Sequence, residues 1–233
     1  MPIVEIGAGL GDLTKYLLKL NHVISYEIDF DLVPILQQKF SDEISREQLR
    51  LVPHDILDCW DDTHLLDQEY QLIANLPYYV ATNIILKALK DTNCKSIVVL
   101  IQKEVAQKFA AKNGEKSFSA LSILASSIAK VELVFDVEAK YFDPPPKVVS
   151  SVIKIEKYDT YDSDFIEKSF DEFLRNCFAF PRKTIGKNLG SSYEKEAILA
   201  LLEKYEIPTT LRPHQIDIEK YHILYKEIKG FPQ

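Results

Sequence analysis

Three glycines at alternate positions constrain the start of this chain more than any other feature. In Val4-Glu5-Ile6-Gly7-Ala8-Gly9-Leu10-Gly11-Asp12 they separate a short apolar run, 3–6, from a helical pattern over 12–20. Glycine at such a junction permits left-handed turns and close backbone approach to a ligand. Apolar runs recur at 22–26, 49–53, 70–74 and 96–102. Helical patterns fall between them, at 31–40 with Pro34 tolerated in the first turn, and at 80–90 with Ile84, Ile85, Ala88 and Leu89 at core spacing. Helices are also expected at 104–111 and 119–129, and a last pair of strands at 130–137 and 148–155 around the loop AKYFDPPPK. Strands alternating with helices imply a mostly parallel, seven-stranded α/β sheet covered on both faces. Beyond 157 the pattern changes: 159–164 is polar and acidic, and helices are expected at 165–178, 182–189, 194–205 and 217–229. The expected division is therefore an α/β domain over 1–158 and a small all-helical domain over 159–233.

The chain has 233 residues and contains no apolar run of membrane-spanning length, so no span is expected. Its first residues lack a basic region followed by a long apolar stretch, so no signal peptide is expected. The three cysteines, Cys59, Cys94 and Cys177, are far apart, and the five histidines are scattered. Neither a disulfide framework nor a metal site is expected, and a reducing, cytoplasmic compartment fits best. A net charge of −7 argues against general adhesion to nucleic acid. The charge is uneven, however. Residues 55–69 hold six acids and no Lys or Arg, 87–116 hold seven lysines against three acids, and 175–187 hold four basic residues and no acid. Such runs are ordinarily solvated faces, but they leave room for local basic surfaces.

The GxGxG spacing differs from the dinucleotide GxGxxG, and no Lys-Ser/Thr follows as in a P-loop. Glu5, just before the glycines, would repel a phosphate but tolerate an amino-acid ammonium. Glu27 ends the second strand, where an acid can hold ribose hydroxyls. Asp55, in His54-Asp55-Ile56, ends the third and could accept from an adenine amino group. Each feature alone reads better as a structural glycine turn or a solvated carboxylate. Together, on successive strand ends, they best fit S-adenosylmethionine.

Asn75-Leu76-Pro77-Tyr78 falls at the tip of the fourth strand, beside that cofactor. A target amine there could donate to the Asn75 side-chain oxygen and to a backbone carbonyl at Leu76 or Pro77, with Pro77 fixing the backbone and Tyr78 offering a stacking face. An exocyclic adenine nitrogen is a poor nucleophile because its lone pair is delocalised into the ring. Two acceptors on its hydrogens favour a pyramidal nitrogen with the lone pair aimed at a methyl-sulfonium carbon, so alignment and electrostatics do most of the catalysis. A base within structured nucleic acid must first be extruded, which favours an aromatic pocket.

The motifs EIGAGLG, YEID, HDI, NLPYY, IQKEVA, FSALS, FDPPPKVVSSV and CFAFPRKTIGKNL occur in this order across nearly the whole chain. In order and spacing the chain resembles the KsgA-type ribosomal RNA adenine dimethyltransferases. The resemblance implies a Rossmann-like class I methyltransferase domain with a helical C-terminal domain that contacts RNA or the ribosome. It also implies N6,N6-dimethylation of two adjacent adenosines near the 3′ end of small-subunit rRNA, in the immature subunit, by a monomer. Residue by residue, Gly7, Gly9 and Gly11 would line the methionine side of the cofactor, Glu27 its ribose and Asp55 its adenine. Glu5, Ile28, Ile56 and Asn75 complete the expected cofactor set. Asn75, Leu76, Pro77 and Tyr78 would hold the target base, flanked by Phe142. Lys103, Lys108, Lys147, Arg182, Lys183 and Lys187 are the expected RNA contacts; such contacts position a substrate without reading its sequence.

One departure stands out. Family members normally carry a helical segment with a QNFL-like motif before the first strand, and QNFL occurs nowhere in this sequence. Two other adenine N6 methyltransferase types, acting on large-subunit rRNA or on DNA, remain open at this stage. So do a small-subunit assembly factor whose binding matters more than its catalysis, and a small-molecule methyltransferase, which NLPY with FDPPPK disfavours.

Overall fold

The apolar runs become seven strands: β1 (Ile3–Ile6), β2 (Val23–Tyr26), β3 (Leu49–Val52), β4 (Tyr70–Asn75), β5 (Cys94–Gln102), β6 (Ala129–Val137) and β7 (Ser150–Lys157). The computed structural model describes residues 1–60 and 63–230. The strands form one sheet in the order β3-β2-β1-β4-β5-β7-β6. β1 to β5 run parallel, in registers such as Ile3↔Val23 and Ile73↔Val98, while β7 pairs antiparallel to β5, with Leu100 opposite Val152. This topology reverses direction between β1 and β4. In doubly wound sheets ligands bind at such a switch point, outside the carboxyl ends of the strands.

The β1–β2–β3 side is sealed by Ile3, Leu17, Val23, Leu36, Phe40 and Leu49, against which Leu13, Ile44 and Ile73 also pack. On β5 and β7 one face is fully buried, through Ile97, Val99, Ile101, Ile153 and Ile155, whereas Val98, Leu100 and Val152 on the other are half-buried. Coverage of the two faces is therefore unequal, unlike the even sandwich that alternation implies. Two short helices that the sequence pattern does not signal, Ser41–Ser45 and Ile56–Cys59, are each one turn or little more. Periodicity cannot register so brief an element.

By packing, the chain divides into two compact units. One comprises Met1–Ala106 with Glu132–Lys157, and the other Gln107–Val131 with Tyr158–Gln233. The expected division at 158 assigned 107–131 to the first part; its contacts belong to the second. Ser122 Oγ bonds the Lys108 carbonyl, and Ser127 meets His222 on the helix Ile218–Lys229 at 2.6 Å. The core of this second unit is aromatic: Phe170 packs on Phe173 and Tyr225, and His222 stacks on Phe165 at 4.1 Å between centroids. Among its helices, one expected over 182–189 begins only at Ile185, because Phe180-Pro181-Arg182-Lys183 forms a turn closed by Lys183 N–H donating to the Phe180 carbonyl. Proline at the second position of such a turn presets its dihedral angle.

Candidate active site

All three glycines of the β1 loop adopt positive φ: +70° at Gly7, +57° at Gly9 and +78° at Gly11. A Cβ at Gly7 or Gly9 would meet nothing within 4 Å, so their backbone faces open space. Gly11 is glycine for packing as well, since its Cβ would lie 2.4 Å from the Phe40 ring. Glu27, buried at the tip of β2, braces the loop. Its Oε2 accepts from the Gly9 N–H and its Oε1 from the Asp29 N–H, both at 2.9 Å. An ionised carboxylate has about four acceptor positions, so each oxygen can still take a hydroxyl.

A cleft beside this loop is lined by Gly7, Ile28, Asp55, Ile56, Pro77 and Tyr79. Ile56 is buried in its wall, whereas Ile28 and Tyr79 are exposed at its margin. Asp55 Oδ1 caps the helix Ile56–Cys59 by accepting from the Leu57 N–H at 2.9 Å, which fixes the carboxylate at the tip of β3.

Glu5 is fully buried, and its Oε2 accepts from Thr14 and Ser25 hydroxyls at 2.7 and 2.8 Å. Its Oε1 has no hydrogen-bond partner among the described residues. Burial raises the Glu5 carboxyl above its ordinary range, against the pull of the two hydroxyls, and Glu27 adds a further push upward. An unpaired buried acceptor is costly to leave unmade, so a donor-bearing ligand group is favoured here. S-adenosylmethionine is compatible with this set: glycines 7 and 9 whose backbone faces open space, and carboxylates with spare lone pairs on adjacent strand ends, while Glu5 lies buried behind the loop and lines neither the cleft nor the neighbouring concavity.

Asn75, Leu76, Pro77 and Tyr78 line a second concavity of about 270 Å³ with Phe142, Pro144 and Pro146. Pro77 borders both this concavity and the cofactor cleft. The Pro77 carbonyl accepts from the Val80 and Ala81 N–H groups at 3.2 and 3.1 Å, starting the helix Tyr78–Lys90. No backbone N–H among the described residues donates to the Leu76 carbonyl. Of the two carbonyls expected to meet the target amine, Leu76 is thus the open one. Tyr78 is held through its hydroxyl, 2.6 Å from Ser150 Oγ on β7. Ser150 is a positioning residue that sequence reasoning missed: only strand register brings positions 72 residues apart together.

The expected RNA contacts fall in both units: Lys103 and Lys147 in the first, and Lys108, Arg182, Lys183 and Lys187 in the second. Lys103 pairs with Asp136 at 2.6 Å, and Asp136 also accepts from Ser151. Lys108 is half-buried on the helix Lys103–Ala110, and Lys147 is exposed in the loop before β7. Arg182, Lys183 and Lys187 are exposed, with Lys183 Nζ 4.3 Å from the Phe180 ring centroid. No group of residues able to hold a metal occurs among the described residues. No described helix is long and apolar enough to cross a membrane.

The model of the family "Ribosomal RNA adenine dimethylase" matches residues 1–229. The chain belongs to that family. Its relatives include proteins named ribosomal RNA small subunit methyltransferase A. The one from Sulfurimonas denitrificans is 47% identical over 224 residues, covering 96% of this chain and 82% of the relative. That from Aliarcobacter butzleri is 46% identical over 230 residues, covering 98% and 86%. Among solved structures, a dimethyladenosine transferase from Plasmodium falciparum superposes with a TM-score of 0.79 at 25% identity, over 98% of this chain and 90% of that one. The 23S rRNA methyltransferase ErmE gives 0.73 at 21% identity, covering 99% and 91%, which shows the shared fold. As a member of an rRNA adenine dimethylase family the chain is a methyltransferase whose cofactor is S-adenosylmethionine.

Proposed function

We propose that this chain transfers methyl groups to the N6 amino groups of two adjacent adenosines near the 3′ end of small-subunit rRNA, within an immature small subunit. The observation that carries the reading is the wall shared by two adjoining concavities. Pro77 separates a cleft built from Gly7, Ile28, Asp55 and Ile56 from a pocket built from Asn75, Leu76, Tyr78 and Phe142. The relatives named for the small subunit support the choice of RNA.

When bound, S-adenosylmethionine supplies a methyl group on a positively charged sulfur. Gly7 and Gly9 would admit its methionine part, Glu5 Oε1 would receive its ammonium, Glu27 its ribose hydroxyls and Asp55 its adenine amine. In the neighbouring pocket an extruded adenine would stack on Tyr78 and Phe142. Its N6 hydrogens would be taken by the Asn75 carboxamide oxygen and the open Leu76 carbonyl. Preorganised acceptors of this kind are strongest when aimed at charge that develops in the transition state. No strong base is needed, because the nitrogen becomes acidic as it gains positive charge and, once methylated, can release its proton to solvent water, the two acceptors serving only as hydrogen-bond partners. The pocket can bind a singly methylated amine again, since one N6 hydrogen remains for one acceptor.

The test is calorimetric titration of the chain with S-adenosylmethionine, then transfer of tritiated methyl to unmethylated small subunits and to large-subunit RNA in parallel. Cofactor binding with label confined to dimethyladenosine in the small subunit is the expected result. Label in large-subunit RNA instead would overturn the choice of substrate. Subunit binding without cofactor binding or transfer would replace the enzyme by an assembly factor.

A further inference from the structure

The helical unit holds a side chain whose hydrogen bonding is concentrated on a single exposed turn. Asn188, on the short helix Ile185–Leu189, is fully buried. Its Oδ1 accepts from the Phe180 N–H at 2.7 Å, and its Nδ2 donates back to the Phe180 carbonyl at 3.1 Å. The carboxamide therefore pairs with Phe180 on both sides, as a neighbouring strand would. The same Nδ2 reaches the carbonyls of Thr184 at 3.1 Å and Lys183 at 3.4 Å. Both ends of the Phe180–Lys183 turn are thus tied to one side chain, and Arg182 stands exposed at its corner.

The turn displays chemistry suited to an RNA strand. Phe180 is 49% exposed, with the Lys183 ammonium over its ring. An exposed aromatic face beside cations is how single strands are gripped without reading their sequence: bases stack and phosphates pair. A flexible turn would lose that geometry and the ordering entropy with it.

We propose that Asn188 is a positioning residue for rRNA binding, its carboxamide holding the 180–184 turn so that Phe180, Arg182 and Lys183 meet the RNA together. The proposal rests on the reading of this turn as an RNA contact. Only an amide of this length serves. An aspartate in its place would set a carboxylate oxygen against three carbonyls, and an alanine would leave the Phe180 N–H unpaired beneath the turn.

The experiment measures retention of labelled, unmethylated small subunits by the whole chain at several salt concentrations. Asn188→Asp is compared with Arg182→Ala/Lys183→Ala and with the triple variant. Asn188→Asp is expected to weaken binding by about tenfold, because a buried hydrogen-bond network is broken. It should raise KM for subunits while leaving kcat and cofactor affinity unchanged, and the triple variant should bind no worse than Arg182→Ala/Lys183→Ala. Losses that multiply in the triple variant would overturn the positioning role. If Arg182→Ala/Lys183→Ala binds normally while methyl transfer proceeds, the turn is not an RNA contact; the proposal then falls and the enzyme reading stands. Should Asn188→Asp fail to fold, hydrogen exchange in the unaltered chain decides. The Phe180 amide must already be protected before subunits are added, and free exchange there would refute a preformed turn.

Discussion

At the foot of the sheet, where β4 and β5 begin and β7 ends, Asp91 is 1% exposed and fully engaged. Its Oδ2 accepts from the Tyr70 hydroxyl at 2.6 Å and the Leu65 N–H at 2.8 Å, its Oδ1 from the Asn93 N–H at 2.8 Å, and its carbonyl from Lys157. At the opposite end Glu5 is equally buried, yet one of its oxygens is orphaned. Asn75 is exposed, and the Leu76 carbonyl lacks a backbone donor. The same chemical groups are closed at one end and open at the other. A satisfied buried carboxylate stabilises a fold, whereas an unsatisfied one holds capacity for a ligand.

Breaking the closed end has the largest expected effect. Asp91→Ala strands three donors and leaves the Lys157 amine without its nearby negative charge, so a loss of roughly 3–5 kcal/mol in unfolding free energy is expected. Urea denaturation measures it. Methyl transfer at low temperature should survive, because nothing at the foot touches the substrate. A loss under about 1 kcal/mol would show that Asp91 is not the anchor its bonds suggest.

Breaking the open end should do the reverse. Asn75→Ala is expected to lower the methyl-transfer rate by about 10²–10³, the usual consequence of removing one preorganised polar group. Its melting temperature should stay close to that of the unaltered chain, since surface substitutions of this kind shift stability little. Glu27→Ala lies between the two, as its carboxylate braces the Gly9 loop and is proposed to hold the cofactor ribose. Cofactor affinity should fall at least about tenfold, hydrogen bonds to a charged group being worth about 1.5–3 kcal/mol. An unchanged dissociation constant by calorimetry would remove Glu27 from the site.

The contrast between the ends also explains what the sequence makes legible. Open features carry local signals. Three glycines at alternate positions announce the positive-φ loop, and Asn-Leu-Pro-Tyr announces a strand tip with carbonyls to spare. Of those residues, Gly7 lines one of two adjoining concavities and Asn75, Leu76, Pro77 and Tyr78 line the other, with Phe142 brought in from the loop before β7, whereas Gly9 and Gly11 line neither. Closed features depend on pairings that no local pattern encodes. Nothing around Asp91 foretells Tyr70 and Lys157, nothing around Ser150 foretells Tyr78, and nothing around Asn188 foretells Phe180. The helical period of 119–129 signals an apolar face but not that its partner is the helix Ile218–Lys229. In CFAFPRKT the residues after Pro181 carry a helical pattern, yet turn chemistry wins there.

The smallest expected effect is also the most discriminating, because it should move stability and binding in opposite directions. Glu5→Gln keeps an acceptor for Thr14 and Ser25 but removes a buried charge. Since burial raises the folded-state pKa of Glu5 above the ordinary 4.5, the stability this group contributes is present below pH 4.5 and is lost as pH rises through the folded value. As the pH rises through that folded value the unaltered chain therefore takes on the cost of ionising a buried, half-satisfied carboxylate. Glu5→Gln should be more stable at about pH 7 by something on the order of 1 kcal/mol, and the advantage should vanish as the pH is lowered towards about 4. Cofactor affinity should fall in the same variant, because a neutral amide oxygen holds an ammonium less well than a carboxylate does. Paired urea titrations at the two pH values, with calorimetry at the higher one, measure both. A variant that gains stability at neutral pH without losing affinity would mean that Glu5 merely supports the glycine loop. One that loses stability at both pH values would mean that the orphan oxygen is satisfied in solution, and that the two ends of the sheet are less different than their hydrogen bonds indicate.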